Sequence, residues 1–301
     1  MRIGAHIHTG DGLLKAVAYA RETGCECVQI FAKSPQMWRG PHRDPAEAAA
    51  FVAAMRESGI SPVFTHASYL INAGSTDDTL VEKSRAALAD ELVRGAQVGA
   101  EGVVLHMGMT GGPDTRANAA RVAETVARAW SEAVALCEPP RLLLENAAGA
   151  GRSFGRDVGE LCAALEASRE RGVDAGLCLD TCHGFAAGWD LRDAPGWSHL
   201  CDELSACAVL EAVRLVHAND CKGELGAYRD RHEWIGDGLI GSAGFLAMFQ
   251  ERRLDEVPVV CEMPGTSPEK DEENVARLRS LRDAAGVPAD PGPGGGGSSP
   301  R

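Results

Sequence analysis

Gly102-Val-Val-Leu-His106, Arg141-Leu-Leu-Leu-Glu145 and Ala175-Gly-Leu-Cys-Leu-Asp180 follow one another along the chain. Each is a short apolar run closed by a potential metal ligand. Working outward, the same design appears in Pro62-Val-Phe-Thr-His66 before them, and in Leu215-Val-His217 and Val259-Val-Cys-Glu262 after them. A buried imidazole or carboxylate is costly unless paired or bound to a cation. Packing alone does not account for that cost six times in one chain. The pattern points to a metal cluster.

Eight strand-like segments are predicted: Ile3–His8, Cys27–Ala32, Pro62–His66, Gly102–Met107, Arg141–Asn146, Ala175–Asp180, Val213–Asn219 and Val257–Met263. The stretches between them are rich in Ala, Glu, Arg and Leu with helical periodicity, as at Asp44–Ser58, Thr79–Val98 and Thr115–Leu136. Glycine often follows such a stretch, at Gly59, Gly99 and Gly172, where a left-handed cap costs little. Strand alternating with helix eight times reads as an α/β protein of the (β/α)₈ TIM-barrel class. An open doubly wound sheet is the plainer reading, but it leaves the ligand placement unexplained. In a barrel, chemistry collects at the C-terminal ends of the strands, so residues distant in sequence converge.

At 301 residues with 45% apolar content, the chain can build one large core or two ordinary ones, and barrels commonly run this long undivided. A single barrel domain is expected over 1–286, with a flexible Gly/Pro/Ser-rich tail over 287–301. No run of eighteen apolar residues exists, so no membrane span is expected. The N-terminus lacks the long apolar region of a secretory signal, which makes a cytoplasmic enzyme the expectation. Ten cysteines lie mostly inside apolar runs, as reduced core residues do, and their spacings match no usual zinc pattern. A formal charge of −13 argues against a general nucleic-acid binder. Three divalent ions would offset nearly half of it at one spot, and the local field matters more to a phosphate than the total.

The candidate ligands number nine: His66, His106, Glu145, Asp180, His183, His217, Asp230, His232 and Glu262. That is too many for one ion. Three ions with three or four protein ligands each, Glu145 bridging two, account for all of them. Imidazole and carboxylate without thiolate suit zinc, with manganese as a harder substitute at one or more positions. Clusters of this kind activate water and clamp phosphoryl oxygens. Each residue alone has a duller explanation. Asp180-Thr-Cys-His183 could be a helix N-cap with its first turn, and Asp230-Arg-His232 a solvated turn. It is the joint pattern that favours a metal site. His6 is expected to line the site as a supporting donor, while His8, His42 and His199 are expected to be incidental or exposed.

Several longer motifs point further. Gly176-Leu-Cys-Leu-Asp180-Thr-Cys-His183-Gly-Phe-Ala-Ala-Gly-Trp-Asp-Leu-Arg192, His217-Ala-Asn-Asp-Cys-Lys222 and Arg229-Asp230-Arg-His232-Glu-Trp-Ile-Gly-Asp-Gly-Leu-Ile-Gly241 resemble the endonuclease IV family of apurinic/apyrimidinic (AP) endonucleases. Gly4-Ala-His6, His66-Ala-Ser-Tyr69-Leu-Ile-Asn72 and Leu144-Glu145-Asn146 agree with it, and the likeness runs from about Ile3 to Ala284. The resemblance implies a trinuclear zinc site. His66, His106 and Glu145 would hold one ion, Glu145, Asp180, His217 and Glu262 the second, and His183, Asp230 and His232 the third. It implies hydrolysis of double-stranded DNA 5′ to an abasic site in base-excision repair, leaving a 3′ hydroxyl and a 5′ deoxyribose phosphate. Removal of blocking groups from 3′ ends is implied as well. Glu145 is the expected catalytic residue, bridging ions and orienting the nucleophile, in a protein expected to act as a monomer.

By the same resemblance, the loops after the second and third strands enter the minor groove and replace the missing base. Here they carry Gln36-Met37-Trp38-Arg39 and Tyr69-Leu70. Gln36 and Met37 stand where better-known members have an arginine and a glutamine, whereas Tyr69 and Leu70 match. Met37 remains usable as an apolar wedge, the plainer reading being a loop anchored on the barrel rim. Lys222, Arg229 and Arg231 are candidates for flanking phosphates. The competing readings are a sugar isomerase or epimerase of the xylose-isomerase-like class, needing one metal on Glu145, Asp180, His217 and Glu262, and a catalytically silent DNA-damage binder. The first leaves five ligands unused. The second has no need of a complete ligand set.

Overall fold

Each of the eight predicted segments contains a barrel strand, and the side-chain alternation within it decides what the barrel encloses. The computed structural model describes residues 1–262 and 268–287. In order the elements are β1 (Ile3–Ile7), α1 (Leu13–Glu22), β2 (Cys27–Phe31), α2 (Pro45–Ser58), β3 (Val63–His66), α3 (Asp78–Gln97), β4 (Gly102–His106) and α4 (Thr115–Val134). There follow β5 (Arg141–Glu145), α5 (Val158–Arg169), β6 (Ala175–Asp180), α6 (Thr181–Ala187), α7 (Ala194–Ala206) and β7 (Val213–His217). A two-stranded hairpin, β8 (Asp220–Cys221) with β9 (His232–Glu233), precedes α8 (Gly241–Gln250), β10 (Val259–Cys261) and α9 (Pro268–Ala284). Strands β1 to β7 and β10 close into a parallel barrel, β10 returning to pair with β1. This is the (β/α)₈ architecture expected from the sequence.

Six of the eight predicted strands run past the observed C-terminal end. Val213–Asn219 stops at His217 because the Asn219 N–H is taken by Thr181 Oγ1 rather than by the ladder. The last strand covers only Val259–Cys261 of Val257–Met263, and Met263 and the predicted tail beyond 287 lie outside the described residues. Six helices, α2 to α7, start where aspartate caps them, whereas α1 and α8 follow Gly12 and Ile240 without a side-chain cap. Asp44, Asp77, Asp114, Asp157, Asp180 and Asp193 each accept a first-turn N–H. Gly59 takes the left-handed cap with φ 73°. Among the described residues, no helix is long and apolar enough to cross a membrane.

Inside the barrel, Cys27, Phe64, Val104, Leu143, Cys178, Leu215 and Val260 form a buried apolar cluster of their own. Strand side chains alternate with a period of two, so the residue two further on points the same way. Those residues are Gln29, His66, His106, Glu145, Asp180, His217 and Glu262. On β1 the equivalent pair is Gly4 and His6. A Cβ at Gly4 would fall 1.7 Å from Cys27 O, so the floor closes there only with glycine. The polar ring therefore lies directly on an apolar floor.

α9 packs against α8, β1 and α1 and fastens the end of the barrel where the chain starts. Buried Arg282 donates to Met1 O at 2.9 Å and to Glu26 Oε2 and Oε1 at 2.6 and 3.1 Å, while Glu26 Oε2 also accepts the Ile3 N–H. Burial pushes the Glu26 carboxyl up, but Arg282 and the Ile3 N–H hold it below its ordinary value. Its stabilising contribution is thus full above about pH 4.3 and is lost as pH falls through the depressed value. Arg282→Met should cost roughly 3 kcal/mol in neutral urea unfolding, and the gap to the unmodified protein should narrow on acidification below about pH 4. An unchanged midpoint at neutral pH would show that the clamp is idle.

Candidate metal centre

Five of the nine candidate ligands are the last residues of their strands: His66 of β3, His106 of β4, Glu145 of β5, Asp180 of β6 and His217 of β7. Glu262 follows β10 directly. His183 stands in the first turn of α6, whose N-cap is Asp180, the Asp180 side chain accepting the His183 N–H at 2.7 Å. The duller reading of that motif is therefore correct, and it does not compete with the metal reading, because the cap is what aims His183 inward. His232 opens β9, and Asp230 lies two residues before it in the hairpin loop.

Glu145, fully buried, is the centre. Its Oε2 lies 3.3 Å from His66 Nε2 and 2.9 Å from His106 Nε2. Its Oε1 lies 3.2 Å from His217 Nδ1 and 3.3 Å from His183 Nδ1. The two oxygens of one carboxylate thus face two different groups of donors. His217 Nδ1 also lies 3.2 Å from Glu262 Oε2 and 3.9 Å from Asp180 Oδ2. Asp230 spans the remaining pair, with Oδ2 3.3 Å from His183 Nε2 and Oδ1 3.1 Å from His232 Nε2.

A further layer holds these side chains in place. His66, His183 and His232 turn Nδ1 to the backbone carbonyls of Ala67, Asn146 and Glu262 at 2.7, 3.0 and 2.9 Å, which fixes the tautomer and leaves Nε2 for the cluster. His217 is reversed. Its Nε2 meets Gln29 Oε1 at 2.9 Å and its Nδ1 faces inward. Gln29 Nε2 donates to Glu262 Oε1 at 2.7 Å, and His6 Nδ1 lies 3.0 Å from the same oxygen, the supporting place expected for His6. Asn219 Nδ2 donates to Asp180 Oδ2 at 2.6 Å, and Asn219 Oδ1 accepts the Glu262 N–H at 2.7 Å. Asn146 exchanges two bonds with the Asp180 backbone. Neither Gln29 nor Asn219 is among the residues expected from the sequence to take part. Gln29 carried a signal, a lone amide inside the apolar run Cys27-Val-Gln-Ile-Phe31.

The electrostatics of the ring are those of a site built for cations. Burial pushes Glu145 up, but His106 and His217 beside it pull it well below the ordinary carboxylate range. Glu262 and Asp230 are likewise raised by burial and lowered overall by the neighbouring rings. In return, His183 and His217 are driven well above their usual value against the cost of burial, and His232 is raised to about 9. Asp180, fully buried, is raised by desolvation in spite of three histidines.

Among the described residues, three sets made of imidazole and carboxylate alone come within 4.8 Å of one another with one atom each: His66, His106 and Glu145; Glu145, Asp180, His217 and Glu262; and Asp180, His183 and His232. Two are the sets expected for the first and second ions. In the third, Asp180 stands in the place expected for Asp230, although Asp230 touches both rings. His232 Nε2 is buried and lies near Asp230 without the direction of a hydrogen bond, an orphaned donor atom of the kind a cation satisfies. Cys182 also comes within reach of Asp230 and His232. Its bond to Cys221, then burial, push its thiol far up, so it packs as a neutral group. All ten cysteines are free, and Cys137 and Cys207 are only half-buried. The donor set, imidazole and carboxylate with fixed tautomers, fits zinc or manganese.

The expected DNA-contacting residues surround the mouth of the barrel. Gln36 and Met37 are exposed on the loop after β2, and Trp38 is half-buried against the core. Tyr69 is exposed over the ring, 5.3 and 5.6 Å from the His66 and His106 ring centroids, with half-buried Leu70 beside it. Lys222, Arg229 and Arg231 are exposed on the hairpin, where Lys222 already pairs with Glu233 at 3.2 Å. Met109 and Tyr228, both exposed on neighbouring loops, escaped the sequence reading because isolated apolar loop residues carry no periodicity. His8, His42 and His199 are exposed, as expected.

Comparison with known proteins agrees with this geometry. Residues 17–283 match the family described as the xylose isomerase-like TIM barrel. A probable endonuclease 4 of Methanoculleus marisnigri is 40% identical over 286 residues, covering 94% of this chain and 99% of that protein. One of Oleidesulfovibrio alaskensis is 43% identical over 284 residues, covering 93% and 94%. The crystal structure of endonuclease IV from Thermus thermophilus superposes with a TM-score of 0.83 at 36% identity, covering 94% of this chain and all of that one. With the barrel, the strand-end donors and this degree of likeness over nearly its whole length, the chain belongs to the endonuclease IV family.

Proposed function

We propose that this chain is a metal-dependent AP endonuclease that hydrolyses the phosphodiester 5′ to an abasic site in double-stranded DNA, leaving a 3′ hydroxyl and a 5′ deoxyribose phosphate. The same site would remove blocking groups from 3′ ends. One observation supports this reading most directly: in one buried ring at the barrel mouth, Glu145 Oε2 faces His66 and His106 while its Oε1 faces His217. His66, His106 and Glu145 would hold one ion, Glu145, Asp180, His217 and Glu262 a second, and His183, Asp230 and His232 a third. When bound, such ions lower the pKa of water toward neutrality and neutralise phosphoryl oxygens as the bond breaks.

The protein's own contribution is position. Glu145 is the catalytic carboxylate, held by four histidines so that it spans the donor sets at the reacting centre. Gln29, His6 and Asn219 fix Glu262 and Asp180 in orientation, so little reorganisation accompanies reaction. Tyr69 and Leu70, with Met37 and Gln36, would occupy the gap left by the missing base, and Lys222, Arg229 and Arg231 would receive flanking phosphates. A single-metal isomerase needs only Glu145, Asp180, His217 and Glu262. It leaves His66, His106, His183, Asp230 and His232 converged for no purpose.

Purified, unchelated protein should carry close to three equivalents of zinc or manganese; one equivalent by elemental analysis would contradict the trinuclear assignment. Because the carboxylates beside His183 and His232 outweigh burial and favour the protonated rings, loading stripped protein should release protons. Metal affinity should accordingly fall as pH is lowered, a direction that metal titration in weak buffer reads out.

Glu262→Gln should keep the fold, since Glu262 follows its strand, while lowering turnover on an abasic duplex by about 100-fold. Near-normal turnover with full metal occupancy would remove Glu262 from the ligand set. Tyr69→Ala with Leu70→Ala should retain metal and the affinity for undamaged DNA but lose most of the preference for the lesion, at ~1–3 kcal/mol per stacked contact. Unchanged preference in competition binding would move recognition to the 36–39 loop.

A further inference from the structure

The side chain of Lys33 sees no solvent, and it sits three residues before Gln36 on the loop after β2. A buried ammonium needs a partner of opposite charge. Its Nζ lies 2.5 Å from Glu91 Oε1 and 3.4 Å from Asp90 Oδ2, both carried by α3. The same Glu91 oxygen accepts the N–H of Ser68 at 2.9 Å, and Ser68 immediately precedes Tyr69 on the loop after β3. Ser68 Oγ then donates to Pro35 O at 2.6 Å, back on the first loop. Asp90 continues the network through Arg94, which donates to Asp90 Oδ2 at 2.8 Å and to the carbonyls of Gly40 and Pro41 at 2.9–3.1 Å. Glu91 itself is 1% exposed and Ser68 3%.

We propose that the Lys33–Glu91–Ser68 clip is a specificity-determining device that holds the 32–44 and 67–77 loops in register, so that Met37 and Tyr69 meet the lesion as one surface. Neither loop has regular structure of its own. One carboxylate oxygen, reached from the first loop by an ammonium and from the second by an N–H, makes the position of each depend on the other. Buried networks of this kind couple their members more strongly than isolated contacts do. Among the described residues, no hydrogen bond or ion pair joins Lys33, Glu91 or Ser68 to the nine candidate ligands, so they act through the loops as positioning residues. The assignment rests on the function proposed above only for what the loops recognise; the coupling itself is a property of the fold.

The test uses the full-length, metal-loaded protein and three variants. Glu91→Gln breaks the ion pair at nearly constant shape. Lys33→Met with Glu91→Gln removes both charges, so no unpaired charge is left to unfold the protein. Ser68→Ala cuts the direct loop-to-loop bond without touching charge. Amide hydrogen exchange should show the 32–44 and 67–77 loops losing protection together, while the segments after β5 and β7 stay as they were. Loss confined to one loop, or no loss in the double variant, overturns the clip whatever the protein's activity proves to be. On an abasic duplex, KM should rise by about tenfold and lesion preference should fall, with kcat and metal content unchanged. A fall in kcat at constant KM, or preserved lesion preference with both loops loosened, overturns the specificity role. Failure of the unmodified protein to cut abasic DNA would count against the proposed function, and the exchange result would still decide the clip.

Discussion

A closed barrel has no free side on which to leave a charge, and this one carries four carboxylates and five histidines at one mouth. The alternation of strand side chains creates that situation. Cys27, Phe64, Val104, Leu143, Cys178, Leu215 and Val260 close the floor, and the residues two positions on have to point into the same interior. Burying them is tolerable only as a mutually neutralising set, the rings lending charge to the carboxylates. The remaining architecture serves this constraint. Nδ1 atoms are tied to carbonyls, Asn146 and Asn219 latch Asp180, and Gln29 reaches between His217 and Glu262.

Much of this was legible in the chain. A histidine or carboxylate closing an apolar run is visible without coordinates, and six such closures in a strand–helix alternation locate both the barrel and its functional end. The rest was less visible for physical reasons. The β8–β9 hairpin is too short for periodicity. It is positioned by Asp220, whose buried carboxylate accepts the N–H groups of Cys221, Gly236, Gly238, Ile240 and Gly241. A single aspartate in Asn-Asp-Cys announces none of that. Glu91 reads as one more helix glutamate, since only the packing of α3 on two loops turns it inward. The strand ends were overrun because the ligands stay inward-facing up to the last ladder bond, and hydrophobic pattern does not register where that bond is.

The acidic balance, which spoke against nucleic acid, is better read by position. The loops after β2, β5 and β7 expose Arg39, Arg152, Arg156, Lys222, Arg229 and Arg231 at the end where the metal ligands converge. Two of them are paired, Lys222 with Glu233 and Arg156 with Glu160, and the field at such a rim is decided locally rather than by net charge. Exposed Met37, Tyr69, Met109 and Tyr228 stand among them. The mouth thus presents exposed cations and exposed apolar side chains side by side.

Hydrolysis of DNA beside a missing base by cations held in the strand-end ring ties the position of the cut to the presence of metal. The most direct measurement uses an end-labelled duplex with one abasic-site analogue that cannot undergo β-elimination, incubated with protein before chelation, after chelation, and after zinc is restored. The expected result is a single nick on the 5′ side of the analogue with a 3′ hydroxyl that a polymerase can extend, abolished by the chelator and recovered with zinc. Undiminished incision by fully stripped protein, or no incision by the metal-loaded protein, would contradict it.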